Sequence, residues 1–461
     1  MIDIAVARLV LERAVSTGGD FAEIFAEDAM RSSMKMVDNK LDTAINGRRW
    51  GAGVRVFKGL RSVYATTNDL SRDGLLACAA KAAAAIGDSG ANPLDIVLTP
   101  TVVGNSHPVT VPLGTVALAD KAALIRRSYD VLAGFHTEIV QAVVQLVEWD
   151  QNVLIANTEG LYTTDRRAYT RIANMAVASD GKENQTGFDA PGRLSGFECF
   201  ESEIDVLASA RVAAEQAVLM LHARHCPAGR MPVAIDNGFG GVIFHEACGH
   251  SLEATSVAKG NSEFAGKLGE TIANPKISAT DDGTIKNAWG SLNIDDEGLP
   301  TQRNVLIENG VLKGYLIDRM GARRMNMAAT GSGRRESYQY AATSRMNNTF
   351  IENGPDKNED IIASIDNGLY AKRMGGGSVN PATGEFNFAV AEGYLVKNGK
   401  VTEPVRGASL IGKGSEILMA IDMVGQNLAM AQGMCGSVSG AVPTNVGQPM
   451  LRVREITVGG R

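Results

Sequence analysis

The sequence predicts an α+β protein with mostly antiparallel sheet: an N-terminal region mixing helices with antiparallel strands, then a glycine-rich, strand-rich C-terminal domain. Three observations carry that prediction. Helical and alternating hydrophobic periods interleave over the first half of the chain. The 51 glycines among 461 residues concentrate in the second half, as many tight turns and close backbone approaches require. Two Asn-Gly pairs, Asn309-Gly310 and Asn398-Gly399, sit inside alternating runs and supply the two positive-φ residues of a type I′ hairpin turn.

The elements follow in order. Ile4, Val6, Leu9, Val10 and Ala14 recur at helical spacing over residues 4–15, and Gly18-Gly19 ends the run. Strands are expected at 22–29, 34–44, 53–57 and 61–66, with Asn46-Gly47 as a hairpin turn. Residues 70–86 are alanine-rich and helical. Residues 87–112 mix Gly, Asn, Pro, Ser and His with weak periodicity and read as a linker or exposed loop. A helix at 119–133, strands at 138–148, 153–158 and 171–179, and a helix at 203–223 follow. The stretch from Pro227 to Arg230 marks a boundary. At roughly 150 residues per domain the length suits two or three units. The chain divides as 1–88, a middle segment 110–225 packing with it, and 230–461.

Composition excludes several classes. Lys+Arg is 45 and Asp+Glu is 51, a net charge of −6, so the basic surplus of a nucleic-acid binder is missing. The longest charge-free stretch, 423–451, is rich in Gly, Gln, Asn, Ser and Thr, and no membrane span is expected. Five cysteines at irregular spacing (Cys78, Cys199, Cys226, Cys248, Cys435) do not form a disulfide framework. Free thiols and the absence of a signal-peptide pattern at the N-terminus point to a cytoplasmic protein.

The informative helix lies near 239–255. It contains His245-Glu246-Ala-Cys-Gly249-His250, two of only six histidines in the chain. The familiar zinc-peptidase pattern spaces its histidines by four, which puts the rings about 40° apart on one helix face. Here the spacing is five, and a regular helix would splay the rings by about 140°. A π-bulge would bring them together. So would a bend or end at Gly249, just before the second histidine. Glu246, beside one ligand, is then placed as a general base that takes a proton from a metal-bound water.

A catalytic zinc needs three protein ligands and an open position. Candidates for the third are Glu253, one turn beyond His250, a remaining cysteine or a distant carboxylate. Cys248 would point away from the His250 ring and reads as a small buried hydrophobe. Cys435 sits in a glycine-flanked stretch read as a loop, where the backbone can bring a thiolate close to an ion. Spacing does not choose among them.

Other patterns carry less. Gly407-Ala-Ser-Leu-Ile-Gly-Lys-Gly414 lacks the final Ser/Thr of a phosphate-binding loop. His222 and His225 lie at a helix C-terminus, where the dipole favours imidazolium. There is no Gly-x-Ser-x-Gly elbow.

The stretch His-Glu-Ala-Cys-Gly-His-Ser-Leu-Glu, residues 245–253, resembles the metal motif of the TldD/PmbA family of metallopeptidases. The likeness continues through Ile294-Asp-Asp-Glu-Gly-Leu-Pro, Gly333-Arg-Arg-Glu-Ser, Arg345-Met-Asn-Asn-Thr, Gly375-Gly-Gly and Val446-Gly-Gln-Pro, covering essentially all of 230–461. The first half matches more loosely. The resemblance implies the catalytic TldD type, which keeps the motif, and not the paralogous type that has lost it. It implies His245, His250 and Cys435 as metal ligands and Glu246 as the base. It implies one Zn²⁺ per catalytic chain; a thiolate ligand leaves Fe²⁺ or Co²⁺ open. It also implies peptides or unfolded, flexible segments as substrates. The dimer it implies encloses the site, either as a homodimer or as a heterodimer with a motif-lacking paralogue. An extended substrate would add to a sheet edge, and glycine-rich strands such as the one around Gly375-Gly-Gly377 suit that approach. The rival expectation is a non-enzymatic regulatory or scaffolding protein whose metal site is structural.

Overall fold

The computed structural model describes residues 2–87, 94–380 and 383–460. Of the expected loop at 87–112, residues 88–93 lie outside the described residues, as does the end of the expected segment 1–88. The fold is α+β and strand-rich.

The first half opens with helix α1 (Ile4–Val15), whose first turn is capped by Asp3 accepting from the Ala5 N–H. Strands β1 (Phe21–Val37), β2 (Lys40–Lys58) and β3 (Arg61–Thr67) precede helix α2 (Arg72–Ile86). Strand β4 (Thr99–Thr101), helix α3 (Leu118–Ala133) and strands β5 (Ile139–Asn157) and β6 (Leu161–Ser179) complete the frame. The strands form one sheet in the order β3-β2-β1-β5-β6-β4, and the short strands Asn184–Asp189 and Gly192–Arg193 also pair with β6.

Two expectations here need correction. Asn46-Gly47 is not a turn; it lies inside β2, opposite Ser32 and Arg31. The chain turns at Asp38 (φ 45°) and Asn39 (φ 66°) instead. Asp and Asn tolerate the left-handed region because their short side chains bond locally. The expected strand 34–44 therefore straddles the turn. The expected break between 148 and 153 is also absent, since β5 runs through it.

Alternation assigns the two faces of this long sheet different tasks. Ile24, Ala26, Val54, Val56 and Leu154 pack beneath α1 and α2. Further along the same face, Met34, Val144, Leu146 and Ile172 pack beneath α3 and the helix Val206–His222. The opposite face carries Phe25, Val153 and Ile155 against Ile294 and Tyr338 of the C-terminal region. Around that patch run buried ion pairs: Arg55 to Glu297 at 2.7 Å, Arg335 to Glu23 at 2.8 Å and Arg167 to Asp296 at 2.5 Å.

The second half holds the largest core and two principal sheets. One includes Gly229–Ile235, Asn367–Val379, Glu385–Lys397 and Leu451–Gly459. The other has six strands and ends in Asn348–Ile351, Gly440–Gln448 and, at its edge, Ala429–Ser437. Both expected Asn-Gly hairpins form, with φ of 50° and 82° at Asn309-Gly310 and 50° and 72° at Asn398-Gly399. They belong to different sheets. The helical segment of the 240s packs against strands of both sheets. Among the described residues no helix is long and apolar enough to cross a membrane.

Candidate metal centre

The chain enters the centre through a 3₁₀ turn, Gly238–Gly241. Gly241 lies on the backbone of Gly447, and a Cβ there would fall 2.5 Å from the Gly447 nitrogen. This close approach seats the following helix, Val242–Ala247, against the strand Gly440–Gln448. The helix is short. Cys248 leaves the helical basin at φ −127°, ψ −49°, and a second 3₁₀ turn spans Gly249–Leu252.

The five-residue spacing of His245 and His250 is therefore accommodated by a break and not by a π-bulge. Gly249 does not adopt a positive φ. It is needed for room, because a Cβ would meet Met346 Sδ at 2.3 Å. Across the break the two imidazole rings stand 5.0 Å apart at 82°.

Cys435 comes from the edge strand Ala429–Ser437, paired opposite Val442. The sequence placed it in a loop; its glycine neighbours are accommodated within the ladder, and Gly436 faces open space. Its Sγ lies 3.2 Å from His245 Nε2 and 3.3 Å from His250 Nε2. The three donor atoms all fall within 4.8 Å of one another.

The chemistry of this set fits a divalent ion of the zinc type, which takes imidazole nitrogen and thiolate sulfur. Burial would push the Cys435 thiol up, but the two imidazoles, His245 foremost, pull it down to about 3. The thiolate is thus the favoured form, as metal ligation requires. His245 is buried and its Nδ1 has no protein partner.

Glu246 and Glu253 sit on different sides of His250. Glu246 Oε2 is 3.6 Å from Nε2, the nitrogen that faces the sulfur, and its side chain is 26% exposed. Glu253 Oε1 is 3.2 Å from Nδ1, and its side chain is 5% exposed. Glu246 therefore stands at the accessible side of the donor cluster, while Glu253 backs the ring from within the protein. Burial disfavours charge on His250, but Glu253 and the Cys435 sulfur together outweigh it and hold its pKa well above the ordinary value. Cys248 is fully buried and burial pushes its thiol up. His222 pairs with Glu138 at 2.8 Å, outside the cluster.

Sequence reasoning missed Arg345. Its fully buried guanidinium donates to the Cys435 carbonyl, to Ser439 Oγ at 3.1 Å and to the Gly440 carbonyl at 2.9 Å. Its Nε lies 3.8 Å from Glu253 Oε1. Arg345 thus ties the cysteine strand to the carboxylate behind His250. The segment around it is held in turn by Asp281, which accepts from the Asn347 N–H at 2.7 Å and the Thr349 hydroxyl at 2.6 Å. Burial pushes the Asp281 carboxyl up to about 6 despite these hydrogen bonds. Only its place in the run Arg345-Met-Asn-Asn-Thr marked Arg345 in the sequence.

A groove of about 760 Å³ runs up to Met434, the residue before Cys435, without including the donors themselves in its lining. Residues Ala429 to Met434 of the edge strand form one wall, and Asn237, Phe239, Lys372 and Gly375 face them.

Comparison with known proteins matches three family models: PmbA/TldA metallopeptidase domain 1 over residues 22–86, the central domain over 111–221 and the C-terminal domain over 228–460. A metalloprotease TldD homolog of Haemophilus influenzae is 35% identical over 452 residues, covering 96% of this chain and 93% of that protein. A protein of Methanothermobacter thermautotrophicus named metalloprotease is 34% identical over 449 residues, 96% of each chain. The solved structure of TldE from Thermococcus kodakarensis shares the fold, with a TM-score of 0.78 over 99% of both chains at 19% identity.

Proposed function

The chain belongs to the TldD/PmbA metallopeptidase family, and from that membership we propose that it is a zinc-dependent peptidase of the catalytic TldD type, hydrolysing peptide bonds in peptides and in unfolded or flexible segments. The observation that carries this reading is the meeting of His245, His250 and Cys435 with a partly accessible carboxylate, Glu246, beside them.

His245 and His250, whose Nε2 atoms face the Cys435 sulfur, would hold the ion together with the Cys435 thiolate. When bound, zinc supplies Lewis acidity toward the peptide carbonyl and brings the pKa of water to about 7. Three protein ligands leave a position open for that chemistry. Glu246 accepts the proton of the attacking water at Oε2 and returns it to the leaving amine. Glu253, with Oε1 3.2 Å from His250 Nδ1, favours a proton on that nitrogen and so the tautomer that presents Nε2. Fe²⁺ or Co²⁺ would suit the same donors.

The groove along Ala429–Met434 supports an extended substrate whose backbone adds to the sheet edge. Recognition through main chain favours unfolded segments over folded domains. We place the protein in the cytoplasm, working as a homodimer or with a motif-lacking paralogue. The exposed Met30, Ile45 and Trp50 on the β1–β2 hairpin offer apolar surface for that contact.

The test is Glu246→Ala, assayed for metal content and for cleavage of an unfolded polypeptide. Retained metal with cleavage reduced by about 10²–10⁴-fold is expected. Unchanged cleavage would remove Glu246 as the base, and cleavage absent from the metal-loaded wild type would leave a structural metal site.

A further inference from the structure

A second cavity, of about 330 Å³, lies where the N-terminal sheet meets the C-terminal domain. Six arginines and three carboxylates line it. The carboxylates are already engaged: Asp296 with Arg167 at 2.5 Å, Glu148 with Lys121 at 2.7 Å, and Glu336 with Arg49 at 3.7 Å. Three of the arginines, Arg31, Arg171 and Arg334, have no described carboxylate within 4.0 Å.

Arg334 is the most telling. It is 2% exposed, donates one hydrogen bond from Nη1 to the Met346 carbonyl at 2.7 Å, and leaves its buried Nε without a partner. Arg171 is half-buried, gives its Nε–H to the Ala190 carbonyl at 3.0 Å and lies 5.5 Å over the Trp289 ring. Burial lowers the basicity of both, yet a guanidinium stays charged in a protein. The carboxylates that act on them, Asp296 on Arg334 and Asp189 on Arg171, stand beyond 4.0 Å and form no direct pair, so two guanidinium forks at the cavity are left to accept an anion. Planar, forked donors match a carboxylate. Trp149, Tyr169 and Trp289 pack together along the same cavity and offer an apolar wall to the body that carries it.

Arg171 and Met434 line both this cavity and the substrate groove, and Met434 directly precedes Cys435. We propose that the interdomain cavity at Arg171 and Arg334 is a subsite that binds a carboxylate of the substrate chain. The inference rests on the peptidase reading. The carboxylate comes either from the chain end or from an Asp or Glu side chain.

The experiment measures binding in the metal-loaded protein through tryptophan fluorescence, in a Trp50→Phe background so that Trp149 and Trp289 report. The probes are N-acetylphenylalanine and its amide, and N-acetylglutamate amide against N-acetylglutamine amide. In at least one pair the acid is expected to bind about tenfold more tightly, and the pair that does so identifies the source. In Arg171→Gln that ratio falls toward one, and Arg171→Lys restores it only in part. Equal binding within both pairs overturns the proposal, as does a ratio unchanged in Arg171→Gln. Binding is read without turnover, so a protein that cleaves no peptide but keeps the acid preference fails the peptidase reading alone.

Discussion

Cys435 stands 185 residues beyond His250 in the chain, yet its sulfur lies 3.3 Å from His250 Nε2. Two features make that meeting possible: the break at Cys248, which swings His250 toward His245, and the edge strand that carries the cysteine. Neither alone assembles three donors.

Cys435→Ala should therefore lose most of its metal. With two imidazoles left, affinity is expected to fall by more than the about 10–100-fold that losing a hydrogen-bonded support of a ligand costs. Metal analysis after dialysis against a weak chelator reads this directly. Equal metal content in variant and wild type would move the third ligand elsewhere.

Glu253→Gln keeps the size of the side chain and removes the charge 3.2 Å from His250 Nδ1. Loss of such a support should weaken metal binding about 10–100-fold without abolishing it. Competition with a chromophoric chelator measures the shift. An unchanged affinity would show that Glu253 does not orient the ring.

Gly249→Ala places a Cβ 2.3 Å from Met346 Sδ. Overpacking of this kind costs about 1–3 kcal/mol. Shortening the partner should relieve it: the double variant with Met346→Ala is expected to be less destabilised than the sum of the single variants by about 1 kcal/mol or more. Additive denaturation midpoints would rule out the steric account.

Asp281 provides a pH signature. Its carboxyl is raised from 3.8 to about 6 by burial, so between those values the folded chain binds the proton that the unfolded chain has released. Its contribution to stability is therefore fully present below about pH 4 and is lost as pH rises through about 6. Two pKa units correspond to about 3 kcal/mol. Asp281→Asn should flatten the fall by a comparable amount in urea denaturation at pH 4 to 7. Parallel pH profiles for variant and wild type would refute it.

Much of this arrangement is legible before folding because periodicity and turn chemistry are local. Helix α1, helix α2 and the hairpins at Asn309-Gly310 and Asn398-Gly399 all follow from short-range pattern. The spacing of His245 and His250 announces an irregular helix, though not which irregularity. What escapes is partnership. Asn46-Gly47 has turn chemistry but lies in β2 because Asp38-Asn39 closes the hairpin first and sets its register. Cys435 looks like loop between glycines, yet the ladder opposite Val442 absorbs them. Arg345 carries no local mark, since the carbonyls it binds lie about 90 residues further along the chain.

The ion pairs that join the two halves also decide what counts as a minimal unit. Arg335 and Glu297 are completed by Glu23 and Arg55 of the N-terminal sheet, and Asp296 by Arg167. A fragment cut to the C-terminal half would carry these groups without their counter-charges, across a surface shaped for burial. The half that bears His245, His250 and Cys435 is thus not a detachable module; its integrity is borrowed from a sheet that contributes no atom to the donor cluster.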